Sequence, residues 1–300
     1  MKVIECAGLT KTYGNVRALN NLSVSIEENK ITGLIGRNGA GKTTFLKIVA
    51  GFLHQTDGEI KVFAQVPFNN IKVSANTILI DDSMTFPSSF TIKDILSSFG
   101  SFYEKFDPEL AADLLDYFNI NPRQYPDHLS KGMRSTFLSV IGIAVRSPLT
   151  LFDEPTIGMD AVVRKDFYRA LLKDYMTHPR TIIISSHYLK EIEDLIEDVL
   201  LIKDGMNFRH LPITDLAEMT IGLKGNSARV EELAKGKEQF YQEKMGKDTI
   251  YLVTKNDFDE GDLRQARMQG IEISSVTAEE IYVYLTGKDK GGIDHVLDRD

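Results

Sequence analysis

The chain is organised around one stretch that fits the pattern G-x-x-x-x-G-K-[ST], namely Gly36-Arg37-Asn38-Gly39-Ala40-Gly41-Lys42-Thr43. Residues Ile31–Ile35 before it have the composition of a short buried strand, and residues 44–50 after it predict a helix that ends at Gly51. In this order of strand, loop and helix, glycines let successive backbone N–H groups point at phosphate oxygens, and the helix dipole favours the same anion. The stretch therefore predicts a phosphate-binding loop, and the alternative is a chance glycine-rich turn.

Three side chains in or before this loop suggest nucleotide chemistry. The Lys42 ammonium is expected to reach the β- and γ-phosphates, and the Thr43 hydroxyl is expected to ligate Mg²⁺. Tyr13 lies in a predicted turn about 30 residues upstream, where an aromatic ring can stack on a purine for about 1 kcal/mol. An ordinary turn tyrosine explains Tyr13 equally well.

Composition restricts the class of protein. Three hundred residues indicate one large or two modest domains, and 42% hydrophobic residues are ample for a packed core. The formal net charge of −8 argues against nucleic acid or an anionic membrane surface as the direct partner. The single cysteine, Cys6, excludes an internal disulfide framework. The longest mainly apolar run, residues 137–145, falls short of the roughly 20 residues of a spanning helix, and with the polar start this predicts a cytoplasmic protein.

The next chemical signal is a pair of carboxylates at the end of an apolar strand. Residues 149–152 predict this strand, and Asp153 and Glu154 follow it. Adjacent carboxylates in this place are costly unless a cation or a substrate uses them. We expect Asp153 to hold Mg²⁺ and Glu154 to act on the attacking water, with a surface turn as the alternative.

A histidine follows a second buried strand. The β-branched run Thr181–Ile184 predicts the strand, and Ser185, Ser186 and His187 come next. A histidine at this edge can hydrogen-bond a γ-phosphate, although a capping or surface histidine is the alternative. Residues 188–197 predict a helix and residues 199–202 a further strand.

Between these motifs, residues 83–146 have helical rather than strand patterns. Thr91 and Asp94 form a capping-box pattern, and Ser130 is a good N-cap for a helix that runs to about residue 145. Residues 2–35 and 52–82, by contrast, alternate short strand patterns with turns, and residues 27–30 predict a hairpin tip. The pattern indicates a helical subdomain inserted into an α/β core that also carries a β-subdomain.

The order of the motifs over residues 2–205 resembles that of the ATP-binding subunits of ABC transporters. The phosphate loop, the helix start Leu129-Ser130-Lys131-Gly132-Met133, the strand with Asp153-Glu154-Pro155-Thr156, and the Ser-Ser-His end follow one another as in that family. The helix start departs from the commonest Leu-Ser-Gly-Gly-Gln and is similar to a form found in bacterial antibiotic-type exporters. The resemblance implies a P-loop NTPase core with an antiparallel β-subdomain and an inserted helical subdomain (about 83–146).

The resemblance also implies a role for each site residue. Tyr13 would stack on adenine, Gly36 and residues 38–44 would bind the triphosphate and Mg²⁺, and Ser130 and Gly132 would contact the γ-phosphate held by a second ATPase subunit. Two subunits, identical or different, would sandwich two ATP molecules and drive a separate transmembrane permease, which places the protein at the inner face of the cell membrane. The residues concerned are, for nucleotide, Tyr13, Gly36, Asn38, Gly39, Ala40, Gly41, Lys42, Thr43, Thr44, Ser130 and Gly132; for metal, Thr43 and Asp153; and for catalysis, Glu154, His187 and Asp160.

One position departs from the family. The Gln that usually ends the strand before the helical insert falls, counting back from Thr91, on Asp82. A carboxylate there is expected to touch Mg²⁺ or water while adding negative charge beside Asp153 and Glu154.

The remainder of the chain lies outside the resemblance. We expect an ATPase domain over residues 1–210 and a small α+β accessory domain over residues 211–300, of which residues 287–300 form a frayed tail. A stabilising or dimerising appendage is favoured over a ligand sensor. The alternative for the whole chain is an ABC-type ATPase that does not serve transport; a small nucleotide kinase would leave the Leu-Ser-x-Gly and Ser-Ser-His features unexplained.

Overall fold

The structure is a computed structural model that describes residues 1–286. It divides into two compact units, the first over residues 1–210 and the second over the described residues from Leu211 onward. The predicted frayed tail, residues 287–300, lies outside the described residues. Within the described part of the chain, no helix is long and apolar enough to cross a membrane.

The first unit contains a three-stranded antiparallel sheet in the order β2-β1-β4. These strands alternate buried and exposed side chains, as expected for a sheet with one face on the core. They are β1 (Lys2–Tyr13), β2 (Val16–Glu27) and β4 (Asp57–Val62).

A second sheet of six strands forms the centre of the first unit. Its order is β5-β6-β7-β3-β8-β9, and the pairings among the first five strands are parallel, so their carboxyl ends meet at one edge. The four strands β3, β5, β6 and β7 are almost wholly buried, which is typical of a parallel sheet covered on both faces. The strands are β3 (Ile31–Ile35), β5 (Thr77–Ile80), β6 (Leu149–Asp153), β7 (Thr181–Ser186), β8 (Asp198–Lys203) and β9 (Met206–Pro212).

Helices connect these strands and cover the parallel sheet. Three of them, α3 to α5, follow β5 and make up the inserted helical region. The helices are α1 (Lys42–Val49), α2 (Ile71–Ala75), α3 (Ile92–Phe102), α4 (Pro108–Tyr117), α5 (Lys131–Ala144) and α6 (Ala161–Thr177), with 3₁₀ turns at Pro126–His128 and Leu189–Glu191.

The two faces of the parallel sheet bury different layers. On one face, Leu151 belongs to a cluster with Phe45 and Leu46 of α1 and with the inner side of the antiparallel sheet, so that α1 is enclosed between the two sheets. On the other face, the neighbouring Phe152 packs on Phe167 of α6, with 5.7 Å between ring centroids. Both layers hold the carboxyl edge of the sheet in place.

The second unit has its own core and a regular topology. Its sheet has the order β11-β12-β10-β13 with antiparallel pairings, and the element order βαββαβ is that of a ferredoxin-like domain. Helices α8 and α9 cover one face, where Leu223, Val230 and Leu252 are buried. The elements are α7 (Ile213–Glu218), β10 (Thr220–Asn226), α8 (Ser227–Leu233), β11 (Gln239–Lys244), β12 (Thr249–Lys255), α9 (Glu260–Met268), β13 (Glu272–Ser275) and α10 (Ala278–Thr286).

Two local predictions are wrong. Residues 27–30 do not form a hairpin tip, because the chain passes there from the antiparallel sheet into the parallel one. Residues 188–197 contain only the 3₁₀ turn Leu189–Glu191 rather than a helix. Elements α2, β9, α7 and β11 were not predicted.

Candidate functional site

The phosphate-binding loop lies between β3 and α1, and its backbone requires glycine at several places. Gly39 and Gly41 have φ values of +84° and +105°, which side chains rarely adopt. A Cβ at Gly41 would also lie 2.5 Å from the carbonyl oxygen of Ala18, and one at Gly36 would lie 2.8 Å from that of Ile202. The curled backbone therefore tolerates no larger residue at these positions.

Helix α1 begins at Lys42, two residues before the predicted start. Its N-cap is Gly41, which has no side chain to cap the helix, and its first turn contains no acidic residue. The N–H groups of this turn therefore retain their capacity to bind an anion. Thr43 and Thr44 lie in the same turn, and the Thr43 side chain is exposed.

Lys42 is buried and points back over the loop. Its Nζ donates to the carbonyl oxygen of Gly36 at 2.6 Å and forms an ion pair with Oε1 of Glu154 at 3.1 Å. The phosphate loop and Glu154, the residue that follows β6, are thus in direct contact.

Glu154 also contacts the predicted histidine. Its Oε2 lies 2.7 Å from Nδ1 of His187, so that one carboxylate joins Lys42 and His187. The backbone of Glu154 has a φ of +50°, which is strained for a residue with a side chain. Such strain persists only where surrounding contacts fix it, and it is concentrated at functional sites.

A residue that sequence reasoning did not single out lies beneath these carboxylates. The Ser185 hydroxyl donates to Oδ1 of Asp153 at 2.6 Å and accepts from the Glu154 backbone N–H at 2.9 Å. The signal for it was a serine at the end of an otherwise β-branched strand, but its partner becomes visible only in the parallel register that sets Ser185 opposite Asp153.

The chemistry of the oxygen donors at this edge fits Mg²⁺ bound together with a nucleotide. Asp153 and Thr43 offer a carboxylate and a hydroxyl, and Mg²⁺ typically takes one or two such protein ligands together with phosphate oxygens and water. Among residues 1–286, no three His, Cys, Asp or Glu side chains form a metal-binding group of their own.

Ser130, Gly132 and Asp160 form a second, linked group. A Cβ at Gly132 would lie only 2.3 Å from the carbonyl oxygen of Gly158, so the start of α5 packs tightly on the turn before α6. Ser130 caps α5 by accepting from the Met133 N–H at 3.3 Å, and Asp160 caps α6. Ser130 and Asp160 are both exposed.

Of the two aspartates after β5, the buried one is Asp81. It forms an ion pair with Lys47 of α1 at 3.4 Å and accepts from the Ser83 hydroxyl at 2.8 Å. Asp82, which sequence counting placed beside the metal, is exposed. The role predicted for Asp82 stays a prediction.

Two tyrosines border the site in different ways. Tyr13 ends β1 with 48% of its surface exposed, and Lys11 Nζ lies 5.3 Å from its ring centroid. Tyr168 of α6 lies under the turn after Glu154, with its hydroxyl 3.4 Å from the Thr156 hydroxyl. Burial raises the pKa of Tyr168, so its phenol stays neutral and keeps this contact at ordinary pH.

Comparison with known proteins places this geometry in one family. Residues 19–157 match the family model described as ABC transporter. The chain is 29% identical over 222 residues to the ABC transporter ATP-binding protein YtrB of Bacillus subtilis, covering 74% of this chain and 76% of that one. It is 30% identical over 200 residues to the ABC transporter ATP-binding protein NatA of B. subtilis, covering 63% of this chain and 80% of that one.

A third relative and a solved structure extend the comparison. The bacitracin transport ATP-binding protein BcrA of Bacillus licheniformis is 28% identical over 217 residues, which cover 71% of each chain. The ATP-binding cassette MJ0796, solved as a dimer in a post-hydrolysis state with ADP and Pi, superimposes with a TM-score of 0.62 at 20% identity, covering 70% of this chain and 98% of that one. The P-loop NTPase fold expected from sequence is confirmed.

Proposed function

Because the chain belongs to the ABC transporter ATP-binding proteins and is an ATPase, we propose that its catalytic centre is the group formed by Lys42, Asp153, Glu154 and His187. The observation that carries this proposal is the position of Glu154, whose two oxygens contact Lys42 and His187 at the carboxyl edge of the sheet. A carboxylate in this place, next to a phosphate-binding loop, is suited to accept a proton from an attacking water.

Nucleotide is proposed to bind at the phosphate loop. The triphosphate accepts hydrogen bonds from the N–H groups of the loop and of the first turn of α1. Lys42 then binds phosphate oxygens in place of its present contacts with Glu154 and the Gly36 carbonyl. Tyr13 provides an exposed ring for the adenine. The residues proposed to bind are Tyr13, Gly36, Asn38, Gly39, Ala40, Gly41, Lys42, Thr43 and Thr44.

We assign the metal ligands and the proton acceptor to different side chains. Thr43 and Asp153 would hold Mg²⁺, which neutralises phosphate charge when it is bound. Once phosphate has taken Lys42, Glu154 is released to accept the proton of the water. His187 keeps Glu154 oriented through its Nδ1 contact and lies where it can meet the γ-phosphate.

A second ATPase subunit is proposed to complete the site. Ser130 and Asp160 are exposed and already joined by the Gly132–Gly158 contact, so that the helix start and the turn form one surface. The cassette MJ0796 is dimeric in its solved structure. We propose a dimer with a second ATPase subunit, identical or different, in which Ser130 and Gly132 face the nucleotide of the partner and Asp160 bridges the two subunits.

The permease is proposed to dock on a groove between α2, the loop after β5, and α3. The groove has a volume of about 620 Å³ and is lined mostly by apolar side chains. Ile71 and Phe102, at its two walls, are 83% and 81% exposed. Exposed apolar side chains around a groove are typical of an interaction surface. Similarity to BcrA supports export, at the inner face of the cell membrane.

Co-purification from detergent-solubilised membranes tests the transport assignment. Tagged wild-type protein is expected to retain a membrane protein, a Phe102→Ser variant to lose it, and Met176→Ser to retain it, since Met176 is exposed on α6 away from the groove residues. If none of the three proteins retains a membrane protein, while ATP hydrolysis persists, an ATPase outside transport is the better assignment.

A further inference from the structure

Ser185 occupies the point at which the two catalytic carboxylates meet the sheet. It is the fifth residue of β7, is fully buried, and pairs in register with Asp153 on one side and with Leu34 of β3 on the other. The preceding residues of β7 are a threonine and three isoleucines. A hydroxyl in such a strand is costly unless it is hydrogen-bonded.

The Ser185 hydroxyl satisfies this requirement by joining two different groups. A hydroxyl has one proton to donate and two lone pairs to accept with. Its proton goes to Oδ1 of Asp153 at 2.6 Å, and a lone pair accepts the Glu154 N–H at 2.9 Å. One side chain thus fixes the carboxylate of Asp153 and the backbone of Glu154 together.

Each of these bonds has a consequence for the proposed centre. Because Oδ1 of Asp153 accepts the Ser185 proton, part of its capacity is used, and Oδ2 is the oxygen that the Ser185 bond leaves free to serve a metal. Because the Glu154 N–H is anchored, the strained backbone at φ +50° is stabilised, and this backbone directs the carboxylate toward Lys42 and His187.

We propose that Ser185 is a positioning residue for ATP hydrolysis, which sets the oxygen that Asp153 offers to Mg²⁺ and the direction of Glu154. The inference rests on the proposed function, in which Asp153 holds Mg²⁺ and Glu154 accepts the proton. Outer partners of metal ligands typically change metal affinity or activity by about 10- to 100-fold when they are removed.

Four variants separate positioning from a merely structural role. Ser185→Ala removes the hydroxyl, Ser185→Thr retains it, and Ser185→Cys replaces it with a weak donor of similar size. Ser147→Ala is the matched control, because Ser147 is equally buried but lies before β6, at the opposite end from Asp153, and its hydroxyl is without a hydrogen-bond partner among the described residues.

Binding of the non-hydrolysable analogue AMP-PNP is measured by calorimetry at increasing Mg²⁺ and in EDTA, alongside ATPase kinetics. For Ser185→Ala we expect the Mg²⁺ concentration at half-saturation to rise and kcat to fall, each by about 10- to 100-fold. AMP-PNP affinity in EDTA, and the KM for ATP at saturating Mg²⁺, should stay within about twofold, because the phosphate loop is untouched. In Ser185→Thr the Mg²⁺ concentration at half-saturation and kcat should both be close to wild type, and in Ser185→Cys they should be intermediate. Ser147→Ala should match wild type.

Wild-type Mg²⁺ dependence and kcat in Ser185→Ala would overturn the inference and leave the proposed function standing. A wild-type protein whose AMP-PNP binding ignores Mg²⁺ would instead overturn the metal assignment of the proposed function. Thermal melting identifies a variant that does not fold. If Ser185→Ala does not fold, Ser185→Cys is compared with Ser185→Thr instead. Equal Mg²⁺ dependence of AMP-PNP binding in these two variants would contradict the inference.

Discussion

Lys42 and Glu154 form an ion pair across the candidate site, with 3.1 Å between Nζ and Oε1 and side chains that are 6% and 18% exposed. The cation for phosphate and the proposed proton acceptor therefore neutralise each other. A pair so poorly solvated is strongly coupled, and removing either member leaves the other without its counter-charge. When Lys42 binds phosphate in place of Glu154, the same step would therefore free Glu154 to act as the base.

Lys42→Ala should abolish most nucleotide binding. The variant lacks the ammonium for the β- and γ-phosphates, and it leaves Glu154 as an uncompensated carboxylate that repels them. We expect ATP affinity in calorimetry to fall by at least about tenfold, since each 1.4 kcal/mol of lost interaction gives that factor. Lys165→Ala, which changes an exposed residue of α6, is the control. Equal ATP affinity in the two variants would show that Lys42 does not bind the phosphates.

Glu154→Gln should bind ATP and hydrolyse it slowly. The amide retains the shape of the carboxylate but accepts no proton, so kcat is expected to fall by about 10²- to 10⁴-fold. Since ATP then persists, the two-subunit form should accumulate in gel filtration with ATP. Wild-type turnover, or a monomer under those conditions, would show that Glu154 is not the base.

The aspartates after β5 should respond differently to substitution. Asp82→Gln changes an exposed residue, and it should preserve ATPase activity while making the Mg²⁺ dependence shallower than in wild type, because one carboxylate fewer crowds Asp153 and Glu154. Asp81→Asn removes the charge that pairs with Lys47 and should lower stability by about 1 kcal/mol. Superimposable Mg²⁺ titrations for wild type and Asp82→Gln would mean that Asp82 does not face the metal.

Asp174 should contribute much more to stability than an ordinary surface ion pair. It is buried and accepts from Arg180 at 2.8 Å and from Arg146, also at 2.8 Å. Asp174→Asn leaves Arg180 without its carboxylate, while Arg146 keeps its ion pair with Asp107 at 2.9 Å, and we expect a cost of about 3 kcal/mol in the free energy of unfolding. Arg169→Gln, which breaks an exposed pair on the same helix, should cost less than about 1 kcal/mol by denaturant titration.

Similar unfolding free energies in these two α6 variants would contradict the assignment of a buried network. The comparison is direct because both substitutions are on one helix and remove one charge each. Arg146 and Arg180 precede β6 and β7, at the end of these parallel strands opposite the carboxyl edge, so the KM for ATP should be unchanged in both.

Cys6 should be unreactive in the folded protein. Burial raises the pKa of its thiol to about 11, so at pH 8 roughly one thiol in a thousand is ionised. Alkylation should be slow in buffer and fast in denaturant. Well below pH 9 the thiol is neutral in both states; as the pH rises through about 9 toward 11 the unfolded chain ionises first, and stability should fall by up to about 2–3 kcal/mol. Equal alkylation rates in buffer and denaturant would show that the thiol is accessible.

Sequence patterns located the elements whose signals are local. The capping box of Thr91 and Asp94 and the N-cap Ser130 both occur as predicted, because their hydrogen bonds join residues three apart. The start of α1 was placed too late because Gly41 carries no capping side chain. Residues 188–197 do not form the predicted helix. Their apolar residues serve tertiary packing, since Ile192 and Ile196 fill the space beside Gly33.

The motifs identified the carboxylates and His187, but their contacts depend on strand register. Nothing near Ser185 in sequence indicates that its hydroxyl joins Asp153 and Glu154, since the two strands are connected through α6. In the same way, counting residues back from Thr91 selected Asp82. The structure shows that β5 ends at Ile80 and that Asp81, the next residue, is the buried carboxylate that pairs with Lys47.

The strand order also bears on the order in which a newly made chain can fold. Strand β3 lies between β7 and β8, and Ile31 pairs with Ile182, about 150 residues later. While the ribosome is still making the helical region, the glycine loop has emerged but the strands on both sides of β3 have not. Contacts so distant in sequence form late in folding. We therefore expect the parallel sheet on both sides of the glycine loop to form only after β8 has emerged.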